Sequence, residues 1–132
     1  MTYQIQLPVD PNHIDFQNIL NNCYYLHYME KARHVFLQHA FEIDIIQAAK
    51  QGYHYVLYAV ESLIFHHSVK PDDLMTITCQ LTKATRTKMT LYQQIWVDEQ
   101  LTTEATLIAT CVPTDHTRPF IPHIIRQAAR LN

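Results

Sequence analysis

Residues 13–22 form a polar stretch that holds one carboxylate, Asp15, shortly before a long helical pattern. A carboxylate in a fixed position can take a proton from water as a general base, or it can attack a carbonyl carbon as a nucleophile. An aspartate close to a helix start can also cap the helix or hold a loop, and this structural role is the commoner one. Residue types alone therefore make Asp15 a catalytic candidate and leave the structural alternative open.

The helical pattern that follows carries a second carboxylate, Glu30, on a segment that looks buried. Arg33 and His34 lie three and four positions further on, where either side chain can pair with Glu30. Because an unpaired buried charge is costly, we expect an ion pair that anchors the helix rather than a second catalytic acid. Neither the helix nor the predicted strand with His66 and His67 shows H-E-x-x-H or Cys/His spacing, so no metal site is expected.

Two further sets of side chains are candidates for substrate contacts. Basic residues on the later strands can bind phosphate groups or form an ordinary solvated face; these are Lys83, Arg86, Lys88 and Arg118. Tyrosines near the long helix can line an apolar pocket or simply pack in the core; these are Tyr24, Tyr25, Tyr28, Tyr53, Tyr55 and Tyr58. Composition and spacing do not decide whether the basic residues bind phosphate or whether the tyrosines line a pocket.

Composition excludes several common classes of protein. Gly52 is the only glycine in 132 residues, which rules out the glycine-rich loops of P-loop and dinucleotide-binding proteins. Neither serine lies in a G-x-S-x-G motif, so a nucleophile elbow is excluded. Ten Lys and Arg against 12 Asp and Glu, without a basic block, argue against nucleic acid as a partner. Three widely spaced cysteines and the lack of a signal or membrane-spanning run favour an unexported, cytoplasmic protein.

Hydrophobic periodicity predicts the elements that must position these residues. A strand over residues 3–9 precedes a helix over 23–40, which Asn21 or Asn22 can cap. Apolar residues on several faces of this helix predict that it is enclosed. A short helix over 44–50 ends at Gly52, strands follow over 55–65, 75–82, 89–97 and 105–111, and the end of the chain, 119–131, is helical. We expect one α+β domain, residues 1–132, with an antiparallel sheet curled around one helix.

The stretch from Asp15 to Arg33 resembles the hotdog-fold acyl-CoA thioesterases of the 4-hydroxybenzoyl-CoA thioesterase branch. Their motif runs from an Asp through a short loop to two Asn or Asn-like residues, a tyrosine and a Glu-x-Ala-Arg helix. The resemblance covers most of the chain, and it is looser at Pro71-Asp72-Asp73-Leu74 and at Arg118-Pro119-Phe120-Ile121-Pro122. The predicted order of elements agrees with a hotdog fold.

The resemblance implies that Asp15 is the catalytic carboxylate, as nucleophile or as general base toward water. It implies that the backbone N–H of Asn22 polarises the thioester carbonyl, a task that suits a helix N-terminus. Three positions depart from the family: Asn18 replaces a common glycine, His13 replaces a frequent acidic residue, and Lys88 replaces a small hydroxyl residue. Asparagine tolerates positive φ, so Asn18 can preserve the turn.

We assign Tyr25, Arg86 and Lys88 to substrate contacts, with coenzyme A as part of the substrate and no separate cofactor. The resemblance implies a homodimer or homotetramer with active sites between subunits, and the long strand edges of such a sheet favour pairing as well. Two alternatives stay open, namely hydrolysis of acyl groups on acyl carrier protein and a noncatalytic hotdog protein that binds acyl-CoA. The sequence does not predict the length or type of the acyl chain.

Overall fold

The computed structural model describes residues 2–130, which form a five-stranded antiparallel sheet and three α-helices. The strands are β1 (Thr2–Pro8), β2 (Tyr53–Phe65), β3 (Leu74–Ala84), β4 (Met89–Val97) and β5 (Gln100–Pro113). The helices are α1 (Tyr25–Phe41), α2 (Ile45–Lys50) and α3 (His123–Ala129). The order across the sheet is β1-β3-β4-β5-β2, so β1 and β2 are the edge strands. The predicted α+β class and order of elements are confirmed.

Helix α1 crosses one face of the sheet and is held there by two core clusters. Near its N-terminal end, Tyr28 and Met29 pack with Ile77 of β3 and neighbouring strand residues. Near its C-terminal end, Phe36 and Leu37 pack in a second cluster with residues of β3, β4 and α3. Seventeen helical residues span about 25 Å, so α1 has two well-separated ends, and the core fixes both of them.

Backbone capping sets the ends of the helices. A 3-10 turn, Asn22–Tyr24, leads into α1, and Asn21 caps that turn with its side chain. Helix α1 ends at Phe41, and the following residue, Glu42, caps it in the left-handed conformation with φ 56°. Gly52, two residues after the end of α2, also has positive φ, 93°, which confirms the structural role predicted for this glycine. His66 and His67 lie in a bend after β2, so their prediction as strand residues is wrong.

The expectation that α1 is enclosed is wrong for the single chain. The sheet covers only one face of the helix, and His27, Glu30 and Lys31 are exposed on the other side. Glu30 forms no ion pair with any residue in the described range 2–130, so the predicted pair with Arg33 or His34 is wrong as well. An exposed carboxylate is hydrated and needs no partner, whereas Arg33 is the charged residue that is buried.

Strand β2 presents a long apolar edge. It pairs with β5 along one side, and the order of the sheet leaves its other side without a strand within residues 2–130. Seven of its large apolar side chains are exposed, namely Tyr53, Val56, Leu57, Tyr58, Val60, Ile64 and Phe65. An uncovered apolar edge of this length favours pairing with another chain.

Candidate functional site

Asp15 begins a tight turn that fixes the direction of its carboxylate. Its backbone N–H donates to Ile19 O at 2.9 Å, and its backbone carbonyl accepts from Asn18 N at 3.0 Å. Its Oδ1 accepts from Gln17 N at 2.8 Å. The other oxygen, Oδ2, accepts no hydrogen bond from residues 2–130. One carboxylate oxygen is therefore used to hold the turn, and the other is available for chemistry.

The turn that holds Asp15 is supported from below by the main chain. Ile14 and Leu20 form an isolated antiparallel bridge across its base, and Leu20 N donates to Val69 O at 2.8 Å. Asn18 adopts φ 62°, the left-handed conformation that asparagine tolerates better than most residues. The turn therefore keeps a left-handed backbone at Asn18 with asparagine in place of glycine, as predicted.

His13 belongs to the scaffold behind the turn. Its Nδ1 lies 2.6 Å from the Tyr28 hydroxyl, which also accepts from Asp10 N at 3.0 Å. Because the hydroxyl oxygen already accepts one N–H, its own proton can go to His13 Nδ1. The His13 ring stacks on Tyr24 with centroids 4.0 Å apart. The backbone carbonyl of His13 accepts a hydrogen bond from Asn21 N at 2.9 Å. These contacts tie the Asp15 loop to the start of α1.

The start of the 3-10 turn before α1 offers a free backbone donor. Asn21 Oδ1 accepts from Cys23 N at 3.0 Å, and Asn21 O accepts from Tyr24 N at 3.0 Å. Asn22 is the first residue of the turn, and its N–H has no acceptor among residues 2–130. The first N–H groups of a helix lack intrahelical partners, so the Asn22 N–H is available to a ligand oxygen.

A surface groove of about 540 Å³ brings Asp15 and Asn22 together. Tyr25, a predicted substrate contact, also lines this groove. Its hydroxyl accepts from Val69 N at 3.2 Å, and its ring packs edge-to-face on Phe65 with centroids 4.8 Å apart. Burial raises the pKa of Tyr25, and the nearby Asp15 charge adds to that rise. Tyr25 therefore supplies a fixed, neutral wall beside the carboxylate.

The bend after β2 completes the groove, and no sequence pattern indicated it. Phe65, His66, His67 and Ser68 line the side of the groove formed by this bend. His66 N and His67 N both donate to Thr102 O, at 2.8 and 3.1 Å, which holds the bend in place. Only the folded position of β2 brings these residues to Asp15, so periodicity and spacing gave no signal for them.

The predicted phosphate contacts, Arg86 and Lys88, do not line the Asp15 groove of the same chain. They lie in the β3–β4 connection, at the end of the sheet next to the C-terminal half of α1. Arg86 lines a separate groove of about 780 Å³ together with Arg118, Arg126 and Arg130. Lys88 Nζ lies 3.8 Å from the ring centroid of Tyr58 on β2.

Within residues 2–130, no group of three or more His, Cys, Asp or Glu side chains is arranged to hold a metal ion. In the same range, no helix is both long and apolar enough to cross a membrane.

Cys23 is an exposed free thiol, and Cys79 and Cys111 are buried free thiols. Burial raises the pKa of Cys79 to about 12, which makes that thiol a poor nucleophile.

The groove can therefore bind a carbonyl group with a defined orientation. A carbonyl oxygen can accept from the Asn22 N–H, where a developing negative charge is stabilised by the helix start. The free oxygen of Asp15 can then act on the carbonyl carbon or on a water molecule. This arrangement suits acyl transfer to water.

Comparison with known proteins agrees with this chemistry. Residues 9–128 match the model of a family described as the thioesterase-like superfamily. No curated protein matches the sequence.

Solved structures with the same fold include several thioesterases. A probable thioesterase from Escherichia coli, YbaW, has a TM-score of 0.77 and 22% identity, over 94% of this chain and 93% of that chain. A 1,4-dihydroxy-2-naphthoyl-CoA thioesterase from Synechocystis has a TM-score of 0.85 and 16% identity, over 98% and 96%. A hypothetical protein from Staphylococcus aureus in complex with CoA has a TM-score of 0.85 and 10% identity, over 99% and 83%. At these identities the similarity shows the hotdog fold alone.

Proposed function

Because this chain belongs to the thioesterase-like superfamily, we propose that it hydrolyses the thioester of an acyl-CoA to a free carboxylic acid and CoA. The observation that carries the proposal is the groove in which the Asp15 carboxylate lies together with the Asn22 N–H, which has no acceptor in residues 2–130. A fold supports many functions, so the proposal rests on these two groups rather than on the fold. No separate cofactor takes part.

The reaction uses one water molecule by either of two routes. In the first, Asp15 takes a proton from water, whose oxygen attacks the carbonyl carbon, and the C–S bond breaks as the thiolate leaves. The proton on Asp15 then passes to the thiolate. In the second, Asp15 attacks the carbon itself and expels the thiolate, and water hydrolyses the resulting mixed anhydride. In both routes the Asn22 N–H stabilises the oxyanion.

We propose that the active unit is a homodimer formed through the β2 edges, or a homotetramer of two such dimers. The exposed apolar side chains of β2 support this pairing. One end of β2 packs Tyr53 against Phe120 of the arginine groove, with centroids 5.9 Å apart, and the other end places Phe65 in the Asp15 groove. Antiparallel pairing about a two-fold axis therefore sets the Asp15 groove beside the arginine end of the partner.

This assembly gives Arg86 and Lys88 a route to the substrate. In one chain they lie at the end of the sheet away from Asp15, whereas across the two-fold axis they approach the Asp15 groove of the partner. Basic side chains suit the phosphate groups of coenzyme A. We therefore propose that Asp15 and Tyr25 of one protomer meet the thioester while Arg86 and Lys88 of the other meet the phosphates.

The test is release of free thiol from short, medium, long and aromatic acyl-CoAs by the wild-type protein and by Asp15→Asn. The asparagine keeps the shape of the carboxylate and the hydrogen bond from Gln17 N, but it is neither a base nor an effective nucleophile. We expect the variant to fold, dimerise and bind substrate with little or no turnover. Asp72→Asn is the matched control, because Asp72 is an exposed turn residue with φ 66°. Full activity of Asp15→Asn contradicts the assignment.

Two alternatives are separated by the same assay. Turnover of acyl groups on acyl carrier protein but not on CoA assigns the activity to a carrier-protein thioesterase. Binding of acyl-CoA without thiol release assigns a noncatalytic role.

We propose the cytoplasm as the location, which the three free thiols support.

A further inference from the structure

Two neighbouring histidines, His66 and His67, lie on the bend after β2 and line the groove that holds Asp15. The ring of His66 is engaged, because its Nε2 lies 2.7 Å from Glu104 Oε2 of β5. The ring of His67 is exposed and makes no hydrogen bond, ion pair or ring contact with any residue from 2 to 130. His67 is therefore a free imidazole in the same groove as the candidate catalytic carboxylate.

The backbone that presents His67 is fixed. Its N–H donates to a carbonyl of β5 at 3.1 Å. Two residues further on, Val69 is fully buried, its N–H donates to the Tyr25 hydroxyl at 3.2 Å, and its carbonyl accepts from Leu20 N at 2.8 Å. Because Leu20 closes the base of the Asp15 turn, one hydrogen bond joins the bend directly to that turn. A scaffold of this kind can hold a functional side chain in place on a loop.

The mixed-anhydride route of the proposed hydrolysis has one step that lacks a base. In that route the Asp15 oxygen is bonded to the acyl group once the thiolate has left. The acylated side chain can no longer take a proton from the water molecule that hydrolyses the anhydride. A positioned general base accelerates such a step by about 100- to 10,000-fold. This step therefore needs a second proton acceptor in the groove.

His67 is the residue that can supply this acceptor. Among the described residues that line the groove, Tyr25 is the only titratable one besides Asp15 and the two histidines. Burial raises the pKa of Tyr25, so the phenol keeps its proton near neutral pH. His66 has its Nε2 directed to Glu104, whereas both ring nitrogens of His67 are free in the described part of the chain. Imidazole is the side chain that exchanges protons most readily between pH 5 and 8.

We propose that Asp15 is the nucleophile and that His67 is the general base of the second half-reaction. Neutral His67 takes a proton from water, the water oxygen bonds to the acyl carbon of the mixed anhydride, and the bond from that carbon to the Asp15 oxygen breaks. Asp15 leaves as a carboxylate, the acyl group leaves as a carboxylic acid, and the imidazolium gives its proton to solvent. This inference rests on the proposed thioesterase function and chooses between its two routes.

The test measures the first turnover of acyl-CoA separately from the steady state in the wild-type protein and in His67→Gln. Glutamine is polar but cannot take up a proton. We expect His67→Gln to release about one thiol per site in a burst and then to turn over roughly 100- to 10,000-fold more slowly than the wild type. Hydroxylamine, a stronger nucleophile than water, should trap the accumulated acyl group as a hydroxamate. His123→Gln, exposed at the start of α3, is the matched control and should behave like the wild type.

Two further readouts distinguish a base from a structural residue. Added imidazole should restore part of the lost rate in His67→Ala, because a free base can occupy the space of the missing ring. The rate of the second half-reaction should rise between pH 5 and pH 8 in the wild type and lose this rise in His67→Gln. The titratable groups that share a groove with His67 stay in place in these variants, namely Asp15 of the turn, Tyr25 of α1, His66 of the bend, Glu99 of the β4–β5 connection and Glu104 of β5.

The outcomes separate this inference from the proposed function. Equal rates for the wild type and His67→Gln overturn the inference and leave the thioesterase function intact. Loss of the thiol burst together with the steady-state rate, without a trapped hydroxamate, also overturns it and leaves Asp15 as the base toward water. If the wild type releases no thiol from any acyl-CoA, both the function and the inference fail. Because the His67 ring is exposed and without contacts in residues 2–130, its replacement should leave the melting temperature unchanged, which circular dichroism verifies.

Discussion

The role proposed for Asn22 belongs to its main chain, so experiment can separate it from any role of the side chain. The side-chain oxygen accepts a weak contact from Cys23 Sγ at 3.6 Å, and the capping function belongs to Asn21. The backbone N–H is the group without an acceptor in the described part of the chain. A substitution that removes the N–H and keeps the backbone path therefore tests the oxyanion donor directly.

Asn22→Pro is that substitution. Proline is well tolerated in the first turn of a helix, and Asn21 before it has φ −62° and ψ 132°, an extended conformation that accepts a following proline. We expect kcat to fall about 100- to 1,000-fold, the usual cost of one oxyanion donor, with the melting temperature nearly unchanged. Asn22→Ala keeps the N–H and serves as the control. Similar losses in both variants would assign the role to the side chain instead.

At the residue scale, the sequence predicted the groups that form one local motif and missed those that the fold assembles. Asp15, Asn18 and Asn22 lie within eight positions, and a short turn into a helix fixes their arrangement locally. The buried Arg33 and the exposed Glu30 are three positions apart, and only the packing of α1 on the sheet decides which of them is covered. Spacing along the chain carries no information about that choice.

At the element scale, the junction between α2 and β2 depends on Gly52. Its φ of 93° is strained for any residue with a Cβ, and an added Cβ would lie 2.8 Å from Thr114 Oγ1. The backbone around it is bonded on both sides, from Gly52 N to Ala49 O at 3.1 Å and from Thr114 N to Gly52 O at 2.8 Å. The conformation is therefore held by the neighbouring structure and cannot relax freely.

Gly52→Ala should lower the free energy of unfolding by about 1–3 kcal/mol, because positive φ costs alanine this much where the backbone cannot relax. Chemical denaturation of the wild-type and variant proteins measures the difference. Gln51→Ala, one position earlier and exposed, is the control and should change stability little. A wild-type denaturation midpoint for Gly52→Ala would show that the junction tolerates a different backbone path.

The order of elements was predictable because each strand and helix carries its own period. Strand β4, Met89–Val97, matches its prediction residue for residue, since apolar residues occupy every second position except Gln93. Strand β5 extends five residues before its predicted start, because Thr102 and Thr103 are buried polar residues that break the apolar pattern. The prediction that α1 is enclosed was wrong for the single chain. The apolar pattern of a helix shows which faces can be buried, but it does not show whether the same chain or another chain covers them.

At the scale of the whole molecule, the proposed dimer depends on the β2 edge. Val60 lies on this strand and is 41% exposed. A lysine there puts a charge on an edge that would otherwise pair, which is how natural edge strands avoid association. We expect Val60→Lys to shift the protein from dimer to monomer in light scattering and to lose activity with the dimer. Ile124→Lys, on the exposed face of α3, should leave the dimer intact, and an active Val60→Lys monomer would contradict a shared site.

A shared site also predicts complementation between two defective chains. If Asp15 of one protomer works with Arg86 of the other, a dimer of Asp15→Asn with Arg86→Ala contains one intact site and one doubly altered site. Random mixing then restores about a quarter of wild-type activity at low substrate concentration, above the mean of the two homodimers. If both residues serve the same site within one chain, every site in the mixed dimer carries one defect, and mixing restores nothing. Refolding the two variants together and measuring thiol release distinguishes these arrangements, because they differ only in which chain supplies the phosphate contact.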